Sequence, residues 1–514
     1  MSKGFRKTLC IMLAAALGTS LFGCGKGNTT EKNVEETQEA GTDGLTESSF
    51  VSEEAASAEF EDGKFAGNAK AESKKDGYSG SGYAAGLEKD GDSVSVSLSI
   101  SSEGFYDLVF TASTEGGYKE NYVSVNGESV GTLKLDSGSF VKVTIPHIYL
   151  KNGENEINVA KYWGYTDIDK VSAMTAETFD TSVYDVSAAL VNANASENAK
   201  RLMSYLADNY GKNIISGQYC DNGVFGQEMA TIWKATGKFP AMVGLDMMNY
   251  SSNNQENGAT AMSIDHAIEA WENNSIVTMC WHWTTPKKYV SGTWYSAFYK
   301  EHTNINLDKI MDGTDKEGHD LLVKDMDIVA KELKKLADKD IPVLWRPLHE
   351  ASGGWFWWGN CKAESYVKLY REMYDKFTNE YGLNNLIWVW NGQSKDWYPG
   401  DDVVDIIGWD VYPGEHVYTS QYPVYAEALE VTDAKKIITM SENGCLADPD
   451  LCKRDGAMWS YFGTWSGEFV TQGTAFNTYS EQYTEEDMLK KFYTHEIVIT
   501  RDELPELKAY PIRE

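Results

Sequence analysis

Residues 341–350, Ile-Pro-Val-Leu-Trp-Arg-Pro-Leu-His-Glu, run into Gly353-Gly354-Trp355-Phe356-Trp357-Trp358. The first part is a short, nearly continuous apolar run that ends in an imidazole and a carboxyl group. A strand buried on both faces has this composition, and its polar tip faces whatever the fold presents at the strand end. Glu350 is followed within eight residues by four aromatic side chains. A carboxyl group beside flat rings suits a sugar, whose axial C–H faces pack on indole and phenol rings. A plain buried strand is the alternative for the segment taken alone.

Working outward, the chain after Thr178 alternates amphipathic helices with short apolar strands. Ser196 caps a helix over 196–209 with Leu202, Tyr205 and Leu206 on one face. Strands are expected at 214–218, 241–247, 276–281, 342–348, 386–390, 404–409, 436–440 and 457–462, with helices such as 320–338 and 363–381 between them. Eight such units predict a (β/α)₈ barrel over 177–514, larger than the usual ~250 residues. A doubly wound sheet is the alternative fold, but no glycine-rich phosphate turn follows the first strand.

In a (β/α)₈ barrel, chemistry sits at the carboxyl ends of the strands. Those ends carry Trp281-His282-Trp283, His349-Glu350, Trp390-Asn391, Trp409-Asp410-Val411-Tyr412, Ser441-Glu442-Asn443-Gly444 and, after the last strand, Trp465. Two carboxylic acids, Glu350 and Glu442, thus stand across one mouth among indoles. Paired carboxylates perform glycoside hydrolysis, one protonating the leaving oxygen and the other attacking or activating water. Zinc chemistry is set aside: Glu350 is followed by Ala351, Ser352 and Gly353, so there is no H-E-x-x-H, and no C-x-x-C pair is present. Arg346 suits a bidentate donor to a carboxylate, with a structural salt bridge as the equal alternative. Trp357 and Trp358 are expected to pack.

Residues 58–176 differ. Val94-Ser95-Val96-Ser97-Leu98-Ser99-Ile100 alternates strictly, as a half-buried strand does, and runs at 105–110, 122–125, 140–145 and 156–159 follow. Glu103-Gly104, Asn126-Gly127 and Asn152-Gly153 mark the turns between them. This pattern predicts an all-β sandwich domain.

Of 514 residues, 16 are Trp and 30 are Tyr, more than core filling needs. The net charge of −31 makes nucleic acid and anionic membrane surfaces poor partners, whereas a neutral polysaccharide is not repelled. Lys3, Arg6 and Lys7 precede a short apolar run from Leu9 to Leu21, the pattern of an export signal. It closes on Leu21-Phe22-Gly23-Cys24, similar to a bacterial lipobox, so residues 1–23 are expected to be removed and Cys24 lipidated as a membrane tether. Residues 24–57 are polar and small and are expected to form a flexible linker. Among 7 cysteines there is no disulfide framework; Cys445 and Cys452 are near enough in sequence to pair.

Two resemblances sharpen these expectations. Ala58-Glu59-Phe60-Glu61, Tyr78-Ser79-Gly80-Ser81-Gly82-Tyr83, Val125-Asn126-Gly127 and Trp163-Gly164-Tyr165-Thr166-Asp167-Ile168-Asp169 resemble carbohydrate-binding module family 35. The resemblance implies a structural calcium held by Glu59, Glu61 and Asp169, and sugar-contacting rings at Trp163 and Tyr165. Arg346-Pro347-Leu348-His349-Glu350, Gly354-Trp355-Phe356-Trp357-Trp358, Trp281-His282-Trp283 and Ser441-Glu442-Asn443-Gly444 resemble glycoside hydrolase family 26, which carries His before the acid/base.

That second resemblance implies Glu350 as general acid/base, Glu442 as nucleophile and His349 near the sugar 2-hydroxyl. It implies that Trp281 and His282 line subsites, that Trp355 and Trp465 stack sugars, and that Tyr412, with Asp410 close by, hydrogen-bonds near the nucleophile. Trp459 competes with Trp465 for its place. The expected activity is a retaining endo-β-1,4-mannanase acting on β-mannan or a related plant hemicellulose, with no cofactor for catalysis. The alternatives are a mixed-linkage glucanase or β-1,3-xylanase of the same family, or a non-catalytic oligosaccharide-binding lipoprotein.

Overall fold

The computed structural model describes residues 51–473 and 478–513. The export signal, Cys24 and most of the expected linker lie outside the described residues. Among the described residues, no helix is long and apolar enough to cross a membrane.

The first domain is a sandwich of two antiparallel sheets. One contains Lys70–Glu72, Tyr83–Ala85, Thr166–Thr175, Gly104–Thr114 and Val141–Leu150 in that order, with Glu54–Glu59 also pairing to Thr166–Thr175. The other runs Lys64–Ala66, Ser93–Ile100, Gly153–Lys161, Lys119–Val125, Glu128–Leu135. Val94, Val96, Leu98 and Ile100 point into the core while the alternating serines face out, the period-two segregation of a half-solvated strand. The sandwich begins at Glu54, inside the stretch expected to be linker; its first strand, Glu-Ala-Ala-Ser-Ala-Glu, lies at the sheet edge with no fully buried side chain.

His147 joins the sandwich to the second domain. Its ring stacks on Phe105 at 3.9 Å and, on the other face, on Tyr422 at 4.3 Å. Arg454 lies 4.6 Å over Tyr149 beside it.

The second domain is a closed barrel of eight parallel strands. They are Gly217–Tyr219, Met242–Asp246, Ile276–Cys280, Val343–Arg346, Leu386–Trp390, Ile406–Val411, Ile437–Asn443 and Phe462–Thr464. Helices such as Glu197–Asn209, whose first turn is capped by Ser196, and Lys316–Ala337 cover the outside.

Two strands differ from expectation. Ile214–Ile215 leaves the barrel to pair with Val498–Ile499, and the barrel strand starts at Gly217. A Cβ at Gly217 would lie 2.4 Å from the Phe462 carbonyl oxygen, so only glycine lets the strands close here. The expected strand at 457–462 is instead a buried approach, and the eighth strand is Phe462–Thr464. Trp459 is fully buried and donates to the Ser420 carbonyl at 2.9 Å. Trp465 therefore stands at the strand's carboxyl end.

Candidate active site

The fourth barrel strand ends in an unusual backbone. Leu348 and Glu350 both adopt the left-handed region, with φ of 53° and 54°. For non-glycine residues such conformations cost about 1–3 kcal/mol each and persist only where the surroundings enforce them. Here Tyr366 OH donates to the Leu348 carbonyl at 3.1 Å, and Trp358 Nε1–H to the His349 carbonyl at 2.8 Å. The Glu350 N–H donates to the Asn391 carbonyl at 2.7 Å. The turn sets the Glu350 carboxyl at the mouth, where Trp355 Nε1–H donates to Oε2 at 2.8 Å.

Glu442 arrives from the seventh strand. Its Oε2 accepts from Tyr412 OH at 2.7 Å, and its Oε1 accepts from Arg346 Nη2. Arg346 is fully buried and does not clasp one carboxylate with both arms. It bridges two, with Nη1 donating to Asp410 Oδ2 at 2.9 Å. Asp410 Oδ1 also accepts from Asn391 Nδ2 at 2.7 Å and Ser441 Oγ at 2.8 Å.

One oxygen each of Glu350, Asp410 and Glu442 lies within 4.8 Å of the others. Burial, followed by the charges of Asp410 and Glu442, holds the Glu350 carboxyl well above the ordinary carboxylate range. Burial also pushes Asp410 up, to about 7, against the pull of Arg346. Burial and the neighbouring carboxyl groups thus favour the protonated form of Glu350, while Glu442 accepts from Arg346 and Tyr412.

The remaining expected residues divide. Trp465 is half-buried, its ring 4.7 Å from Tyr219 and 5.7 Å from His282, and Trp355 is half-buried beside Glu350, so both present ring surface at the mouth. Trp281 does not line a subsite. It is buried, stacks on Trp283 at 4.1 Å and donates to Ser251 Oγ at 2.9 Å. Side chains alternate along an extended segment, so Trp281 and Trp283 share the outer side and His282 takes the mouth. His349 is fully buried; its Nε2 lies 3.2 Å from His282 Nε2, and its Nδ1 has no partner among the described residues. Asp410 and Arg346 are likewise enclosed, and they act on the site through Glu442. Trp357 and Trp358 are packed, as expected from sequence. Cys445 and Cys452 are both free thiols, not a disulfide.

Tyr219 was not singled out from the sequence. Its hydroxyl accepts from Arg346 Nη2 at 3.1 Å and its ring supports Trp465. Its place at the carboxyl end of the first strand was the available signal, hidden by the misplacement of that strand.

In the sandwich, one oxygen each of Glu59, Glu61 and Asp169 lies within 4.8 Å of the others. Ser79 N–H donates to Asp169 Oδ1 at 2.8 Å, and Ser81 N–H to Glu61 Oε1 at 2.7 Å. Glu61 Oε2 is buried without a hydrogen-bond partner. Burial, with the charges of Asp169 and Glu61, raises the Glu59 pKa. Gly80, at φ 61°, passes so close to Glu61 that a Cβ would lie 2.4 Å from its Oε1. An all-oxygen pocket with an unpaired carboxylate oxygen fits a hard cation such as calcium. Trp163 and Tyr165 are 43% and 48% exposed, so neither belongs to the core.

Comparison with known proteins agrees with this geometry. Residues 191–503 match the profile of glycosyl hydrolase family 26, and residues 56–175 that of carbohydrate binding module family 35. The chain belongs to glycosyl hydrolase family 26. A mannan endo-1,4-beta-mannosidase of Thermothelomyces thermophilus is 32% identical over 98% of this chain and 99% of its own. Mannan endo-1,4-beta-mannosidase B of a Piromyces species is 36% identical over 87% of this chain and 77% of its own. Among solved structures, a Podospora anserina GH26-CBM35 beta-(1,4)-mannanase superposes with a TM-score of 0.62 at 33% identity, covering 88% of this chain and 99% of that one. This family 26 member is therefore a glycoside hydrolase with an attached carbohydrate-binding module, and family 26 hydrolases need no cofactor for catalysis.

Proposed function

We propose that the enzyme is a retaining endo-β-1,4-mannanase in which Glu350 is the acid/base and Glu442 the nucleophile. The observation that carries the mechanism is the approach of the Glu350 and Glu442 oxygens to within 4.8 Å. Retaining glycosidases set their carboxyl groups about 5–5.5 Å apart, whereas inverting ones leave about 6.5–9.5 Å for a water. Glu350, its carboxyl held well above the ordinary carboxylate range, donates its proton to the glycosidic oxygen as that bond breaks. Glu442 attacks the anomeric carbon from the other face, with Tyr412 and Arg346 orienting its two oxygens. Glu350, now a carboxylate, then draws a proton from water, which displaces Glu442 and restores the starting state. Trp355 and Trp465 offer rings to flanking sugars.

The substrate assignment is supported by the printed activities of the two relatives above, each aligned over most of this chain. The sandwich would hold the enzyme on its polymer through Trp163 and Tyr165, raising local substrate concentration. Glu59, Glu61 and Asp169 would hold calcium as a structural ion. The leader sequence supports export with a lipid tether at Cys24, on the outer side of a bacterial membrane.

Product sizes and reducing-sugar release from mannan, mixed-linkage glucan and xylan test the assignment. Internal cuts of mannan, in wild-type enzyme and not in Glu442→Ala, are expected. Preferred cleavage of another glycan would replace the substrate, and an active Glu442→Ala would overturn the mechanism.

A further inference from the structure

His282 and His349 engage each other and leave one ring nitrogen over. His282 Nδ1 lies 2.7 Å from Asp246 Oδ2, and the His282 backbone N–H donates to Asp246 Oδ1 at 3.1 Å. An ionised carboxylate only accepts, so His282 Nδ1 carries a proton. His282 Nε2 lies 3.2 Å from His349 Nε2, and a hydrogen bond between them needs one proton for the two nitrogens. His349 Nδ1 is buried with no partner in the chain. Two proton orders satisfy these contacts. Either His282 is neutral and accepts from His349 Nε2–H, or His282 is an imidazolium and donates to a His349 whose single proton sits on Nδ1.

We propose that Asp246 is a positioning residue for the hydrolysis: it holds His282 as an imidazolium and thereby fixes His349 as the Nδ1–H tautomer next to Glu350. The proposal rests on the assignment of Glu350 and Glu442 as the catalytic pair. The charges around His282 favour this order. Asp246 from the second strand, Asp221 after the first and Glu442 from the seventh are acidic, against Arg346 from the fourth. Cys280, from the third strand, is a buried thiol whose pKa lies well above its usual value and so adds no charge. The other rings packed on His282, Phe298, Phe356 and Trp465, do not titrate.

Burial alone would lower the His282 pKa, but the charge and hydrogen bond of Asp246 turn the net shift upward. His349 is driven well below its usual value by burial, Arg346 and His282. One ring of the pair thus takes the charge, and it is the ring that Asp246 touches. The His349 Nδ1–H is then the one donor of the relay left for an oxygen that enters with substrate. It stands one residue from the acid/base, where a stronger hydrogen bond in the transition state accelerates the reaction. Loss of the second proton from His282 returns His349 to the Nε2–H form and removes that donor.

Nitrogen-15 NMR of the 8 histidines in the full chain reads the proton order directly, with His282 and His349 assigned from single phenylalanine variants. The wild type should show both His282 nitrogens protonated and His349 protonated on Nδ1. Asp246→Asn keeps an acceptor but removes the charge, so His282 should become neutral and the His349 proton should move to Nε2. In kinetics, the same variant should lose about tenfold in kcat/KM at about pH 7, the effect of a one-unit fall in the His282 pKa. The loss should shrink as the pH is lowered toward about 5. A wild-type His349 protonated on Nε2, or an Asp246→Asn loss that is equal at every pH, would overturn the proposal. The NMR readout needs no turnover, so it can fail while Glu350 and Glu442 variants remain inactive, and the two assignments are judged separately.

Discussion

Among the described residues, three carboxyl groups gather to within 4.8 Å at two places, in different surroundings. At the barrel mouth, Glu350, Asp410 and Glu442 are buried around a guanidinium that the chain itself supplies, and burial pushes the Glu350 carboxyl well above the ordinary carboxylate range. In the sandwich, Glu59, Glu61 and Asp169 accept from Ser79 and Ser81, and Glu61 keeps a buried oxygen unpaired. The first trio has its cation built in, and we propose that its members divide into acid and nucleophile. The second suits a cation from outside. Equal spacing therefore does not mean equal chemistry; the nearby positive charge decides.

The largest effects should fall on the first trio. Glu442→Ala should lower kcat on mannan by about 10⁴-fold or more, and Glu350→Gln by about 10²–10⁴-fold, both measured by initial rates. The pH profile sharpens the contrast. The folded pKa of Glu350 lies above its unfolded value, so kcat/KM should fall as pH rises through that folded pKa. The same group stabilises the fold fully below the ordinary carboxylate range, and this contribution is lost as pH climbs toward the folded pKa. Glu350→Gln should therefore flatten the decline of melting temperature with rising pH as well as slowing turnover.

Next in size is Arg346→Met. It leaves two buried carboxylates without their cation, and breaking such a pair costs about 3–5 kcal/mol. Thermal unfolding should show the loss, and an unchanged midpoint would mean that the charges are compensated elsewhere.

For the sandwich, calcium at about 100 times its dissociation constant should stabilise the domain by about 2.7 kcal/mol. Calorimetry with and without a chelator measures this, and Asp169→Ala should remove the dependence. The smallest effect is on targeting. Trp163→Ala should leave the hydrolysis of soluble oligosaccharides unchanged and weaken attack on insoluble mannan several-fold, since only the polymer engages both domains.

Most of this was legible in the chain. The eight strands were visible because parallel barrel strands are buried along their length and so mainly apolar, as at Leu386–Trp390. The strands misplaced were those whose local pattern conflicts with their pairing. Ile214–Ile215 is apolar enough for the barrel yet pairs outside it, and 457–461 is apolar because it is a buried approach. Glu350 and Glu442 were readable because each stands at a strand's carboxyl end, Glu350 ahead of four aromatic residues and Glu442 within Ser441-Glu442-Asn443-Gly444. Orientation was less so. Trp281 and His282 are adjacent and equally plausible at a mouth, and only the alternation of side chains sends the first into the packing and the second inward. Asp246 and Tyr219 act on partners far away in sequence, Arg346 being 127 residues from Tyr219, so no local pattern marks them.

Mass spectrometry of enzyme inactivated with a 2-deoxy-2-fluoro mannoside bearing a good leaving group tests the central claim most directly. The substituent slows both steps and lets the glycosyl-enzyme accumulate. A single glycosyl adduct on Glu442 is the predicted result. An adduct on Asp410 or Glu350, or turnover with inversion and no adduct, would contradict the account.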